Sequence, residues 1–226
     1  MNLSSKQKSL ITKVINVFES GSPAGNYGII AIFEDGPGDI RQITYGRSQT
    51  TEYGNLGKLV KNYVAANGLF SSKLKPFAAK VGVTPLTDDE TFKGLLKKAG
   101  NEDPVMRMVQ DVFVDETYYK PAMKWAKDKG FILPLSALVI YDSFIHSGSI
   151  LSVIRNMFPE KVPADGGNEI EWTTAYIKAR HDWLANHSRE AVRKTTYRTK
   201  CFIEEVARGN WPLTTLPINA NGTKVS

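Results

Sequence analysis

The stretch that decides the fold is Val14-Ile15-Asn16-Val17-Phe18-Glu19-Ser20-Gly21 together with Tyr27-Gly28, Ile29-Ile30-Ala31-Ile32-Phe33-Glu34-Asp35-Gly36-Pro37-Gly38-Asp39 and the return Ile43-Thr44-Tyr45-Gly46-Arg47. The first part reads as the end of an amphipathic helix that stops at Glu19, because Gly21, Pro23 and Gly25 follow it. The second part reads as a β-hairpin: Tyr27 to Asp35, a Gly36-Pro37-Gly38 turn, then Asp39 to Tyr45. A carboxylate at a helix end then faces a carboxylate at a hairpin turn. Two carboxyl groups across a groove are what hydrolysis of a glycosidic bond uses, one protonating the leaving oxygen and the other activating water. Asp39 and Glu34 are the rivals of Asp35, and aspartate is also an ordinary turn residue.

Working outward, Leu10, Ile11, Val14, Ile15, Val17 and Phe18 recur at helical period, and Ser4 with Gln7 has capping-box spacing at the front. On the return strand, alternation sets Ile40, Gln42 and Thr44 on one face and Arg41, Ile43 and Tyr45 on the other. Residues 46–57 are polar and glycine-containing, so they read as a surface loop before a helix from about Leu56 to Ala66. Arg47, Ser48, Gln49 and Tyr53 are its candidates for lining a sugar groove. Residues 68–130 read as broken helices, with Thr87-Asp88-Asp89-Glu90 as one helix start.

Further on, Pro134 opens a helix through Leu138, Val139, Ile140, Tyr141, Phe144 and Ile145. Asp142 and His146 stand at i and i+4 on this apolar helix, and a buried carboxylate there needs a partner such as Arg180 or Arg198. After the Pro/Gly-rich loop 159–171, one helix is expected from Glu169 to Ala185 and another from Arg189 to Arg208, with a turn-like, partly extended tail.

The 226 residues, 42% of them hydrophobic, can bury a sizeable core. A net charge of +6 favours an anionic partner, by which peptidoglycan suits the chain better than a polycation. A lone cysteine, Cys201, excludes an internal disulfide and reads as a buried inert thiol. The N-terminus lacks an apolar signal core and no stretch reaches membrane-span length, so synthesis in the cytoplasm is expected, with action on the cell wall after release or delivery by other machinery. No zinc spacing, phosphate loop or nucleophile elbow occurs, so no metal or cofactor is expected.

In chain order, Phe18-Glu19-Ser20, Tyr27-Gly28, Asp35-Gly36-Pro37-Gly38 and Thr44-Tyr45-Gly46 are followed by Tyr141-Asp142, His146-Ser147-Gly148, Asp165-Gly166-Gly167, Ala179-Arg180 and Arg198. This ordered set resembles glycoside hydrolase family 46, the chitosanases and their lysozyme-like relatives. The resemblance implies a mainly α (α+β), two-lobed lysozyme-like fold in a single catalytic domain, 1–226, with a small hairpin in one lobe and a groove between lobes. It implies cleavage of β-1,4 bonds in an aminosugar polymer with inversion. Glu19 matches the general acid, Asp35 the general base and Thr44 a threonine that helps hold the attacking water. Asp142, Arg180 and Arg198 match an ionic network behind the acid. The return strand reaches its threonine four residues later than the family pattern, and Asp39-x-Arg41-x-x-Thr44 keeps the family's count. Asp35 is preferred for its place at the end of the first strand. Tyr27, Tyr45, Arg47, Ser48, Gln49, Tyr53 and His146 form the candidate substrate-contacting set.

A monomeric peptidoglycan hydrolase, an endolysin or delivered effector, is the main expectation, and a chitosanase is the alternative. A different class is a non-catalytic binder of nucleic acid or wall polymer using Arg180, Arg189, Arg193, Lys194, Arg198 and Lys200. Glu190, Glu204 and Glu205 interleave with those cations, so no nucleic-acid partner is expected.

Overall fold

The computed structural model describes residues 2–226; Met1, the first residue of the expected 1–226 domain, lies outside them. The chain forms two compact units, one of Glu19–Asp115 and one that joins the residues up to Phe18 with Glu116–Ser226.

Helix α1 (Ser5–Ser20) begins where the spacing predicts, with Ser4 N donating to Gln7 Oε1 at 2.9 Å and Gln7 N donating back to Ser4 Oγ at 3.2 Å. Its apolar stripe from Leu10 to Phe18 is buried, and Glu19 falls inside its last turn.

The Glu19–Asp115 unit holds a three-stranded antiparallel sheet in the order β1 (Ile30–Phe33), β2 (Gln42–Tyr45), β3 (Thr50–Thr51). Phe33 pairs with Gln42 and Ala31 with Thr44. The turn between β1 and β2 contains a short 3-10 segment, Pro37–Asp39. Residues 46–57 are more ordered than their polarity suggests: they contain β3 and a wide turn, Glu52–Leu56, before α2 (Gly57–Ala65). Short α3 (Ser71–Leu74), α4 (Glu90–Glu102) and α5 (Pro104–Val114) complete the unit. Asp89 caps α4 through Phe92 N, at the start that its acids foreshadow. Asp103 caps α5 through Val105 N and also takes Tyr63 Oη and Leu69 N. Burial alone would raise its pKa, but those donors overrule burial and hold it below the usual carboxylate range.

In the other unit, α6 (Lys120–Asp128) precedes α7 (Pro134–Ser147), whose residues Pro134 to Phe144 are all buried. Proline at its start and Gly148 at φ 77° past its end set its limits. Short α8 (Ser152–Arg155) leads to α9 (Glu169–Ala185), as expected. Trp172 of α9 stacks on Tyr176 at 5.1 Å and takes Phe131 edge-on at 4.9 Å. The single helix expected over 189–208 is broken into α10 (Glu190–Arg193), a 3-10 turn and α11 (Tyr197–Ala207). Thr195 and Thr199 hydroxyls bond back to the Val192 and Thr196 carbonyls at that break. The tail closes as a hairpin of β4 (Ile218–Ala220) and β5 (Thr223–Val225). Among the described residues, no helix is long and apolar enough to cross a membrane.

Candidate active site

The β1–β2 hairpin is seated by close approaches that only glycine permits. A Cβ on Gly28 would lie 2.2 Å from Asn101 Oδ1, and one on Gly46, at φ 76°, 2.3 Å from Gln110 Oε1. The Tyr27-Gly28 and Tyr45-Gly46 pairs are therefore the places where the hairpin meets α4 and α5. Gln110 clamps both: its Nε2 donates to the Tyr27 carbonyl at 2.9 Å and its Oε1 accepts from Arg47 N at 3.1 Å. Tyr27 Oη donates to Asp111 Oδ1 at 2.8 Å, and Arg47 pairs with the same carboxylate.

This seating corrects part of the expected sugar-contacting set. Tyr45 is fully buried and donates to the Leu96 carbonyl at 2.7 Å, so its ring belongs to the core. Arg47 is 8% exposed and committed to Asp111, which makes it an anchor of the hairpin rather than a groove residue. Ser48 and Gln49 are half-buried in a tight turn: Ser48 Oγ meets Thr50 Oγ1 at 3.1 Å, and Gln49 Nε2 reaches the Gly46 carbonyl. Tyr27 and Tyr53 remain half-exposed. Burial pushes the Tyr27 phenol above its ordinary pKa, and its bond to Asp111 pushes the same way. Burial does the same for Tyr53, with the Glu52 charge adding to it.

Strand β2 is buried on both faces. Ile43 and Tyr45 face the core. Gln42 and Thr44 share the opposite face with their cross-strand neighbours Phe33 and Ala31. On this face Gln42 Nε2 donates to Asp35 Oδ1 at 2.8 Å. Asp35 itself is exposed, two residues beyond the end of β1. Thr44 is 4% exposed, and its Oγ1 has no hydrogen-bond partner among the described residues. Asp39 sits in the exposed turn at φ 58°, its N–H bonded to the Gly36 carbonyl. Sequence reasoning missed Gln42 and Phe33, which is 50% exposed. Gln42 lies on the predicted face of β2, but only the register shows that it reaches Asp35. Half-buried Glu19 belongs to the same unit as Asp35.

The other unit holds the expected ionic cluster. Asp142 on α7 is fully buried and takes Arg180 Nη1 at 2.6 Å on one oxygen and Arg198 Nη1 at 2.7 Å on the other. Burial opposes its charge, but the two guanidiniums hold the carboxyl below its usual pKa. His146 is pulled down to about 3 by burial, with Arg198 and Arg180 pushing the same way, so its ring is neutral. Arg198 lies 5.5 Å from the Phe18 ring centroid, and Tyr197 Oη donates to the Phe18 carbonyl at 2.8 Å. The cluster thus grips α1 at the residue that precedes Glu19. Arg180 and Arg198 are spent in this core and unavailable to a phosphate backbone, which removes two cations from the proposed basic face. Cys201 is buried, and burial pushes its thiol far above the ordinary value. No cluster of three or more metal-ligating side chains occurs among the described residues.

Comparison with known proteins shows the family and the fold. The model of the family described as glycosyl hydrolase family 46 matches residues 13–218. A chitosanase of Bacillus subtilis (strain 168) is 29% identical over 92% of this chain and 79% of its own length. A family 46 chitosanase from Gynuella sunshinyii, solved with chitotetraose, superposes with a TM-score of 0.80 at 25% identity, over 99% of this chain and 98% of that one. The native chitosanase of Bacillus subtilis MY002 shares the fold end to end, with a TM-score of 0.82 at 24% identity. The mainly helical, lysozyme-like architecture with its small antiparallel sheet is common to them. A match that runs from α1 through the hairpin and the Asp142 cluster to β4 makes this chain a glycosidase, and it belongs to glycosyl hydrolase family 46.

Proposed function

We propose that the protein is a chitosanase that hydrolyses the β-1,4 bonds of chitosan with inversion, using Glu19 as general acid and Asp35 as general base. The observation that carries this reading is the family match over nearly the whole chain, with named chitosanases among the relatives. The sheet supports it. Asp35 is exposed and held through one oxygen, which leaves the other for a water molecule. Thr44, on the same face, has a buried hydroxyl without a hydrogen-bond partner among the described residues, so its donor and acceptor capacity is left for a water that enters there. Exposed Phe33 offers an apolar ring to a sugar face. Glu19, in the last turn of a helix anchored at Phe18, protonates the leaving oxygen.

The expectation of peptidoglycan rested on the net charge of +6 and on an N-terminus without an apolar signal core, and the named relatives side with chitosan instead. Net charge sums the whole surface, whereas a polymer meets the local field. The segment 33–40 at the hairpin tip carries Glu34, Asp35 and Asp39, all exposed, and no cation. That local field suits a polycation. The overall basic balance still favours an anionic wall polymer as a second reading. Purified protein is tested against both: reducing ends released from chitosan with no loss of cell-wall turbidity are expected. Wall lysis without chitosan cleavage overturns the substrate. Proton NMR of fresh digests gives the stereochemistry, with the α-anomer expected first.

A further inference from the structure

We infer that Gln42 is the positioning residue that aims Asp35, an inference that rests on the reading of Asp35 as general base. Gln42 is 5% exposed, and both ends of its amide are used. Its Oε1 accepts from Tyr53 N at 3.2 Å and its Nε2 donates to Asp35 Oδ1 at 2.8 Å. A backbone N–H can only donate, so Tyr53 pins the amide oxygen and the NH2 group must face Asp35. The amide cannot flip without setting donor against donor.

The neighbouring residue of each partner makes the return bond. Glu52, 1% exposed, accepts from Ile43 N at 3.0 Å and from Leu86 N at 2.7 Å. Residues 42–43 and 52–53 are therefore bracketed in both directions: the side chain of Gln42 holds the backbone of Tyr53, and the side chain of Glu52 holds the backbone of Ile43. Strand β2 is fixed in rotation and in register at the point from which Gln42 reaches out. Asp35 lies in exposed chain beyond β1, where an unanchored carboxylate samples several rotamers. One bond from a rigid donor selects the rotamer and leaves Oδ2 for chemistry. The donor is neutral, so it orients the carboxylate without neutralising it, as a guanidinium would. Asp39 has no such support: its side chain has no hydrogen-bond or ion-pair partner among the described residues.

The test uses Gln42→Leu, which removes both bonds without adding a charge, and Gln42→Glu, which keeps an oxygen for Tyr53 N–H but replaces the donor to Asp35 with a second carboxyl group. Turnover of a chitosan oligomer of defined length is expected to fall about 10- to 100-fold in both, the cost of a misplaced group. KM is expected to stay within about twofold. In an Asp35→Asn background, adding Gln42→Glu is expected to change the residual rate by less than about twofold, because the two residues act as one unit. Wild-type kcat in both variants overturns the inference. So do losses that multiply in the Asp35→Asn background, or collapse of the fold in both variants, since either assigns Gln42 a structural role. Wild-type turnover in Asp35→Asn alone overturns the base itself, an outcome distinct from failure at Gln42.

Discussion

Two aspartates of this chain show opposite uses of a carboxylate. Asp142 is fully buried on α7, and each of its oxygens meets a guanidinium. Asp35 is exposed beyond β1, and one of its oxygens meets a neutral amide. The first meets a cation on each oxygen and has no exposed surface, and its charge ties α7, α9 and α11 to one another. The second keeps its charge and one oxygen. A carboxylate with two cations in a dry core is a fastener, and a carboxylate oriented by an uncharged donor at a surface is a reagent.

The sharpest way to break this contrast is to remove the chemistry and look for any loss of fold. Glu19→Gln and Asp35→Asn are each expected to lower kcat on chitosan by about 100- to 10,000-fold, the usual worth of a positioned acid or base. Circular dichroism and melting temperature should stay near wild type, because neither residue is in the core. Asp142→Ala is expected to do the reverse. It strands two buried guanidiniums and should cost about 3–5 kcal/mol in urea denaturation. Full stability in Asp142→Ala would end its role as fastener.

Gly46→Ala tests the seating of the hairpin without touching either aspartate. Its Cβ would need the space of Gln110 Oε1 and a backbone angle of φ 76°. A loss of about 1–3 kcal/mol is expected from the crowding and strain, read by the same denaturation.

His146 gives the cluster a pH signature. Its folded pKa of about 3 lies below the unfolded value of 6.5, so the unfolded chain binds the extra proton between them. Stability is complete above about pH 6.5 and declines as the pH falls toward 3. The lowered pKa of Asp142 acts further down, its contribution present above 3.8 and lost below. His146→Gln should flatten the first decline by about 1–2 kcal/mol between pH 7 and 4, measured by denaturation at each pH. The smallest effect belongs to Asp39→Asn, for which kcat should change by less than about twofold, since that side chain is held by nothing; a loss as large as that of Asp35→Asn would move the base to Asp39.

The elements whose identity depends on local chemistry were legible early. Ser4 and Gln7, the stripe from Leu10 to Phe18, and Pro134 mark helix limits through capping and period, which neighbours along the chain decide. The break at 194–196 was not legible because threonines that bond back to carbonyls three residues earlier also suit a continuous helix; the short strand at Thr50–Thr51 was not legible because it depends on pairing with β2. Tyr45 and Arg47 looked like groove residues for the same reason: a tyrosine at the end of a strand or an arginine just after it reads as surface until α4 and α5 are packed against it.

By itself, then, the order of residues determined the helical character, the hairpin, the presence of an acid at the end of α1 and the partners of Asp142, since a buried carboxylate admits few solutions and two arginines stood at helical positions. Only the tertiary structure decided which hairpin carboxylate is oriented. That choice rests on Gln42, pinned by a backbone N–H eleven residues away, and hydrogen-bond direction across a sheet is a property of register, which no local pattern contains.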